Sequence, residues 1–206
     1  MKLTVRFLNS VPVVVFLKSY INNLVTSEIL NISNVNVVLD GQQLPFKNAS
    51  FRAIVMIDVF HHIPDVNSFL AEASRSIKPG GAVIMIEPWV TRWSRFVYSY
   101  LHHEPFDSEI KEWKLPKGGP LSSANSALPW VVFERDRVKF SDEFPQWQKL
   151  KIKLHSPFCY LLSGGVSFRS FMPGRFYEIF RLFEDLLHPF FSSLAMFATI
   201  RLYRKT

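Results

Sequence analysis

The chain has 206 residues, of which 48% are hydrophobic and 20% charged, enough for one domain with a real core and too apolar for disorder. Its single cysteine, Cys159, excludes an internal disulfide and a cysteine-based zinc site, and suits a reducing, cytoplasmic compartment. The net charge of +7 is uneven: residues 1–90 hold 7 Lys+Arg against 6 Asp+Glu, while residues 91–206 hold 17 against 11 and 14 of the 20 phenylalanines.

The opening "MKLTVRFLNSVPVVVFLKSY" has early basic residues and a later apolar stretch. Asn9, Ser10 and Pro12 break that stretch and no small-residue cleavage site follows, so it does not read as a secretory signal. "NLVTSEI" is β-rich and leads into "NVNVVLDGQQLPF", an apolar strand running into the turn signal Asp40-Gly41. "FRAIVMID" is a continuous apolar run, as for a strand covered on both faces. In "PDVNSFLAEASRSIKPGG", Val66, Phe69, Leu70, Ala73 and Ile77 fall at helical spacing, with Asp65 as N-cap and Pro79-Gly80-Gly81 as the stop. "GAVIMIEP" is a further buried strand.

Beyond Pro88 the pattern loosens. Residues 89–101 read as helical, and 103–148 are polar and resist assignment. "KLKIKLHSPF" (149–158) alternates as a strand with one wet face. "GRFYEIFRLFEDLL" is an amphipathic helix with Phe176, Ile179, Phe180, Phe183 and Leu187 on one side, and "SLAMFATIRLYRK" is a last strand. Strand, crossover, strand, helix, strand is the grammar of a parallel α/β sheet, whose ligands bind beyond the carboxyl ends of the strands. Glu28, Asp40, Asp58 and Glu87 each close a predicted strand and so draw attention.

The stretch "LDGQQLPFKNASFRAIVMIDVFHHIPDVNSFLAEASRSIKPGGAVIMIEP" resembles the class I S-adenosylmethionine-dependent methyltransferases, in the branch with D-x-x-x-LPF, HH-x-x-D and KPGG motifs, over about residues 24–90. The resemblance implies one Rossmann-like domain over 1–206. Its mostly parallel sheet would carry helices on both faces and a C-terminal antiparallel pair, with acceptor-side insertions at 91–148 and 156–192. It also implies roles. Glu28 would hydrogen-bond the ribose hydroxyls of S-adenosyl-L-methionine, and Asp40 the adenine amino group beside Gly41. Asp58, Val59 and His61 would line the pocket for the methionine part, with His62 and Glu87 near the methyl-transfer mouth.

On the acceptor side, "YLHHEPFD" offers His103 and Glu104 as a general base, needed only where the acceptor must lose a proton. A metal on His102, His103 and Glu104 is conceivable, but adjacent histidines diverge on regular backbone, so none is expected. The expected acceptor is a small molecule, a lipid-linked group or a glycan. The basic second half allows peripheral contact with an anionic membrane at its inner face, and equally a solvated face over a Phe-rich core. No dense Lys/Arg run or binding module points to nucleic acid.

The N-terminal part is truncated or altered relative to the family, which ends its first strand in an acid and a glycine-rich loop. At that place stands "NSVPVVVF", whose valines would fill the cofactor's space. Permitted codons for Asn9 to Phe16, read one nucleotide earlier, spell E-F-G-S-G-G-G-F. Residues before about Phe16 are therefore read as frame-shifted or mis-started. As written, the chain is expected to bind cofactor weakly. The alternative reading is a degenerate, non-enzymatic binding or membrane-surface protein.

Overall fold

The computed structural model describes residues 2–7, 23–29, 35–116, 123–162 and 174–206. Seven strands form one sheet: β1 (Lys2–Phe7), β2 (Leu24–Glu28), β3 (Val37–Val38), β4 (Phe51–Ile57), β5 (Ile77–Pro88), β6 (Trp147–His155) and β7 (Phe197–Arg204). Their order is β3-β2-β1-β4-β5-β7-β6. The first five strands run parallel, and β7 lies antiparallel between β5 and β6. "TVRFL" thus supplies the first strand, between β2 and β4. The "VPVVVF" segment, where the glycine loop was expected, lies outside the described residues.

The centre of the sheet is built from the continuous apolar runs. Phe51, Ile54 and Met56 of β4 and Val83 and Met85 of β5 are buried, as strands covered on both faces require. Helix α1 (Val66–Ser76) lays Val66, Phe69, Leu70 and Ala73 into the same core. Asp65 caps it, its carboxylate accepting from the Ser68 N–H at 3.2 Å. The helix ends sooner than its apolar spacing implies. Ile77 is already extended and pairs with Phe51, because Pro79 disfavours helical backbone at Lys78. At Gly81 a Cβ would lie 2.5 Å from the Arg52 carbonyl oxygen, so only glycine lets the two strands start side by side.

Glu72 and Arg75 of α1 clamp the preceding loop. The Glu72 carboxylate accepts from the Leu44 N–H at 2.8 Å, and Arg75 donates to the Leu44 and Phe46 carbonyls. Helix α2 (Arg92–Tyr100) starts in a capping box between Thr91 and Ser94. The region 103–148 does contain structure: Leu128–Trp130 runs into a π-helical turn, Val131–Arg135, then helix α3 (Arg137–Glu143). Leu128, Val131, Val132, Phe133 and Phe140 from this stretch join the main core.

Helix α4 (Gly174–Leu186) forms where the spacing predicts it. Its apolar side differs from expectation: Phe176, Ile179, Phe180 and Phe183 are all exposed. The helix is anchored instead through buried Glu184, whose Oε1 accepts from the N–H groups of Phe158 and Cys159, both at 2.5 Å.

Candidate active site

The site begins where β4 ends. Asp58 takes a left-handed φ of +57°, which aspartate tolerates better than most residues. It turns the chain into a 3-10 turn, Phe60–His62. The opening N–H groups of that turn need acceptors. Glu87, at the neighbouring end of β5, supplies one: its Oε1 accepts from Val59 N at 2.9 Å and Phe60 N at 2.7 Å. Its Oε2 meets His61 Nδ1 at 2.8 Å. Glu87 and His61 are both 0% exposed, so these three contacts are what make a buried carboxylate tolerable.

The tight turn keeps the adjacent imidazoles together, their ring centroids 4.1 Å apart and tilted by 43°. Adjacent histidines diverge on regular backbone, and the 3-10 turn is what lets this pair converge. His61 Nε2 lies 3.3 Å from Glu104 Oε2 without hydrogen-bond alignment. His62 directs Nδ1 at the Ser123 carbonyl, 3.4 Å away, and Nε2 sits 3.5 Å from Glu104 Oε1.

Glu104 is brought in by the loop after α2. Its N–H donates to His102 Nδ1 at 3.2 Å, and the Ser126 hydroxyl donates to its Oε2 at 3.4 Å. Asn125 ties this loop to the turn: its N–H donates to the His61 carbonyl, and its side chain bonds the Asp107 backbone at both N–H and C=O.

The electrostatics follow from this crowding. Burial opposes a charge on His61, but the carboxylates of Glu104 and Glu87 outweigh it and raise its pKa to about 10. Burial alone would push Glu104 up, yet His61 and His62 hold it well below the usual carboxylate range. Desolvation raises Asp58 despite nearby His61. Burial lowers His102.

The residues expected for the cofactor lie along the carboxyl edge of the sheet. Glu28 closes β2, buried, with Oε1 accepting from the Ile29 N–H at 2.8 Å. Asp40 accepts from the Gln42 N–H at 2.9 Å and is chelated by the Gln42 amide. Gly41 lines a small apolar cavity of about 20 Å³ with Ser27, Leu39 and Phe69, about the room of one water. Asp58 is half exposed, with Oδ1 4.0 Å from His61 Nδ1. Val59 is fully buried, its N–H held by Glu87.

Of the acceptor-side candidates, the structure brings His62 and Glu104 together and leaves His103 apart. His103 is exposed and stacks on His102 with centroids 4.7 Å apart. His102 is the member of that pair that turns inward, edge-on to Tyr98 and 3.4 Å from the Tyr160 hydroxyl. Glu87 and His102 thus hold the centre of the cluster, where the sequence placed Glu87 only near the transfer mouth and His102 only as a conceivable metal ligand. Glu87 had a signal, as a carboxylate ending a strand buried on both sides. His102 had none beyond adjacency, because loop backbone sets which histidine faces in.

Known proteins resemble this chain in part of its sequence and in its fold. A methyltransferase domain family matches residues 19–85. A demethylmenaquinone methyltransferase of Tropheryma whipplei (strain Twist) is 31% identical over 94 residues, 46% of this chain; the match spans only 36% of that relative's length. A SAM-dependent methyltransferase from Archaeoglobus fulgidus superposes with a TM-score of 0.55 at 10% identity, over 98% of this chain and 86% of that one. Geranyl diphosphate C-methyltransferase from Streptomyces coelicolor A3(2) does so with a TM-score of 0.54 at 11% identity, over 99% and 71%. Residues 19–85 therefore match a methyltransferase domain, and the chain carries the class I S-adenosylmethionine-dependent methyltransferase fold.

Proposed function

We propose that this chain transfers a methyl group from S-adenosyl-L-methionine to a small-molecule acceptor that loses a proton on methylation, such as a hydroxyl compound. The observation that carries this reading is the meeting of two sets of residues at one edge of the sheet. Strand-end acids suited to the cofactor stand beside a His61–His62–Glu104 cluster, buried at His61 and partly exposed at Glu104, suited to the acceptor.

The residues present fit the cofactor by their chemistry. Glu28 is a buried carboxylate at a strand end, able to accept from a ribose diol. Asp40 would accept from the adenine amino group, with Gly41 beside the ring. Asp58, half exposed at the kink after β4, places negative charge where a sulfonium is held, next to Val59 and His61. The bound cofactor supplies an electrophilic methyl group. The protein's part is to orient the acceptor and exclude water, which account for much of the rate in such transfers. The acceptor's proton would go to the His62–Glu104 pair, whose atoms stand 3.5 Å apart at the partly exposed end of the cluster.

Equilibrium titration of the full chain with S-adenosylhomocysteine tests the reading. One saturable site is expected, weakened at least about 10-fold by Glu28→Gln, because a hydrogen bond to a charged acceptor is worth about 1.5–3 kcal/mol. No binding by the folded chain, or equal binding by the variant, would overturn it. A purely non-enzymatic role is not favoured. No helix among the described residues is long and apolar enough to cross a membrane.

A further inference from the structure

We infer that His61, His62 and Glu104 form a binding site for one divalent cation of the zinc class. Three potential ligand atoms converge on one point. Glu87 accepts from His61 Nδ1 at 2.8 Å, so a cation that displaces the Nε2 proton would find that nitrogen's lone pair aimed at Glu104. His62 directs Nδ1 at the Ser123 carbonyl, which leaves Nε2 of the neutral ring to bind a cation. Both nitrogens point at the Glu104 carboxylate, and the three ligand atoms all lie within 4.8 Å of one another.

Without a metal, His61 itself supplies the positive charge between Glu87 and Glu104, and a bound cation would take over that role as its Nε2 proton leaves. His61 Nε2 is fully buried and makes no hydrogen bond, so it is a polar atom aimed at this point without another use. The spacings suit a metal better than hydrogen bonds. His61 Nε2 lies 3.3 Å from one Glu104 oxygen and His62 Nε2 3.5 Å from the other, close to the ligand–ligand spacing of about 3.4 Å in a tetrahedral site with ligands about 2.0–2.1 Å from the ion.

The surroundings have the form of an outer shell. A metal-bound histidine usually donates its other N–H to a carboxylate, which is itself held by hydrogen bonds. Glu87 does this for His61 and is locked by two backbone N–H groups. Asp58, Glu87 and Glu104 place three carboxylates around His61, a surplus of negative charge that a doubly charged ion offsets. Two imidazoles and one carboxylate select a borderline ion over calcium or magnesium. With three protein ligands, the ion would keep a position open, where it could lower the pKa of a bound acceptor hydroxyl in place of proton transfer to His62–Glu104. This last role rests on the methyl-transfer reading; the binding itself does not.

The test uses the full chain stripped with a chelator and titrated with Co²⁺, followed by its visible ligand-field absorption, then displaced by Zn²⁺. One equivalent is expected, with absorption of tetrahedral intensity. Glu104→Gln and His62→Gln should each weaken binding by roughly 100-fold or more, and Glu87→Gln by about 10–100-fold, as for outer-shell partners. Circular dichroism checks that each variant is folded, and S-adenosylhomocysteine titration of Glu104→Gln checks that the cofactor edge is intact. Binding well below one equivalent, or folded Glu104→Gln and His62→Gln titrating like the parent, would overturn the inference. A chain that binds Co²⁺ but not S-adenosylhomocysteine would leave the metal site standing and the methyl-transfer reading refuted. The converse result would do the opposite.

Discussion

Helices α1 and α4 both place large apolar side chains three and four residues apart, yet only α1 buries them. Phe69 is 2% exposed, against 61% for Phe183. Helix α1 connects two paired central strands, so the crossover presses its apolar stripe onto the sheet. Helix α4 is held through a polar residue, Glu184, which ties it to the N–H groups at Phe158 and Cys159. Apolar spacing identifies a face; only the path of the chain decides whether anything covers it. Helix α4 carries Glu178, Glu184 and Asp185 against Arg175 and Arg181, so it adds nothing to the chain's net charge of +7.

Substitutions can break this contrast. Phe69→Ala should cost about 3–5 kcal/mol, as for large core side chains, while Phe183→Ala should stay within about 0.5 kcal/mol. Urea denaturation measures both, and equal losses would dissolve the distinction between the two helices. A middle effect comes from the polar anchor. Glu184→Ala leaves two N–H groups without their acceptor and should cost about 1–3 kcal/mol. If it were silent, α4 would have to be held by something other than Glu184.

The smallest effect sharpens the description of α1. Hydrogen bonds from Arg75 outweigh desolvation and hold Glu72 below its ordinary value of 4.5. A depressed carboxylate contributes stability that is fully present above its unfolded pKa and lost as pH falls through the folded one. Denaturation midpoints measured at about pH 7 and about pH 3 should therefore differ less in Glu72→Gln than in the parent, by about 1 kcal/mol at most for a partly exposed pair. An unchanged difference would remove Glu72 as the source of that acid sensitivity.

Much of the fold was legible because its signals are local. The apolar runs 51–57 and 81–88, the Asp65 cap and the antiparallel pair near the C-terminus are properties of neighbouring residues, and each lies within a few positions of where its pattern placed it. Ile77 shows the limit: its spacing is helical, but Pro79 and pairing with Phe51 draw it into a strand. The site was legible in part. The strand-end acids follow from topology, whereas the meeting of Glu104 with His61 and His62 depends on a loop 42 residues away returning to the turn.

By itself, the sequence determined the order of strands, the acids at their ends and the helix between the central pair, since periodicity and capping act within one or two turns of backbone. Tertiary structure decided that His102 rather than His103 faces inward, that Glu87 rather than solvent holds the His61 ring, and that α4 keeps its phenylalanines outside. Those choices depend on contacts between distant segments. They are set by where buried polar groups can find partners, and no local pattern records that.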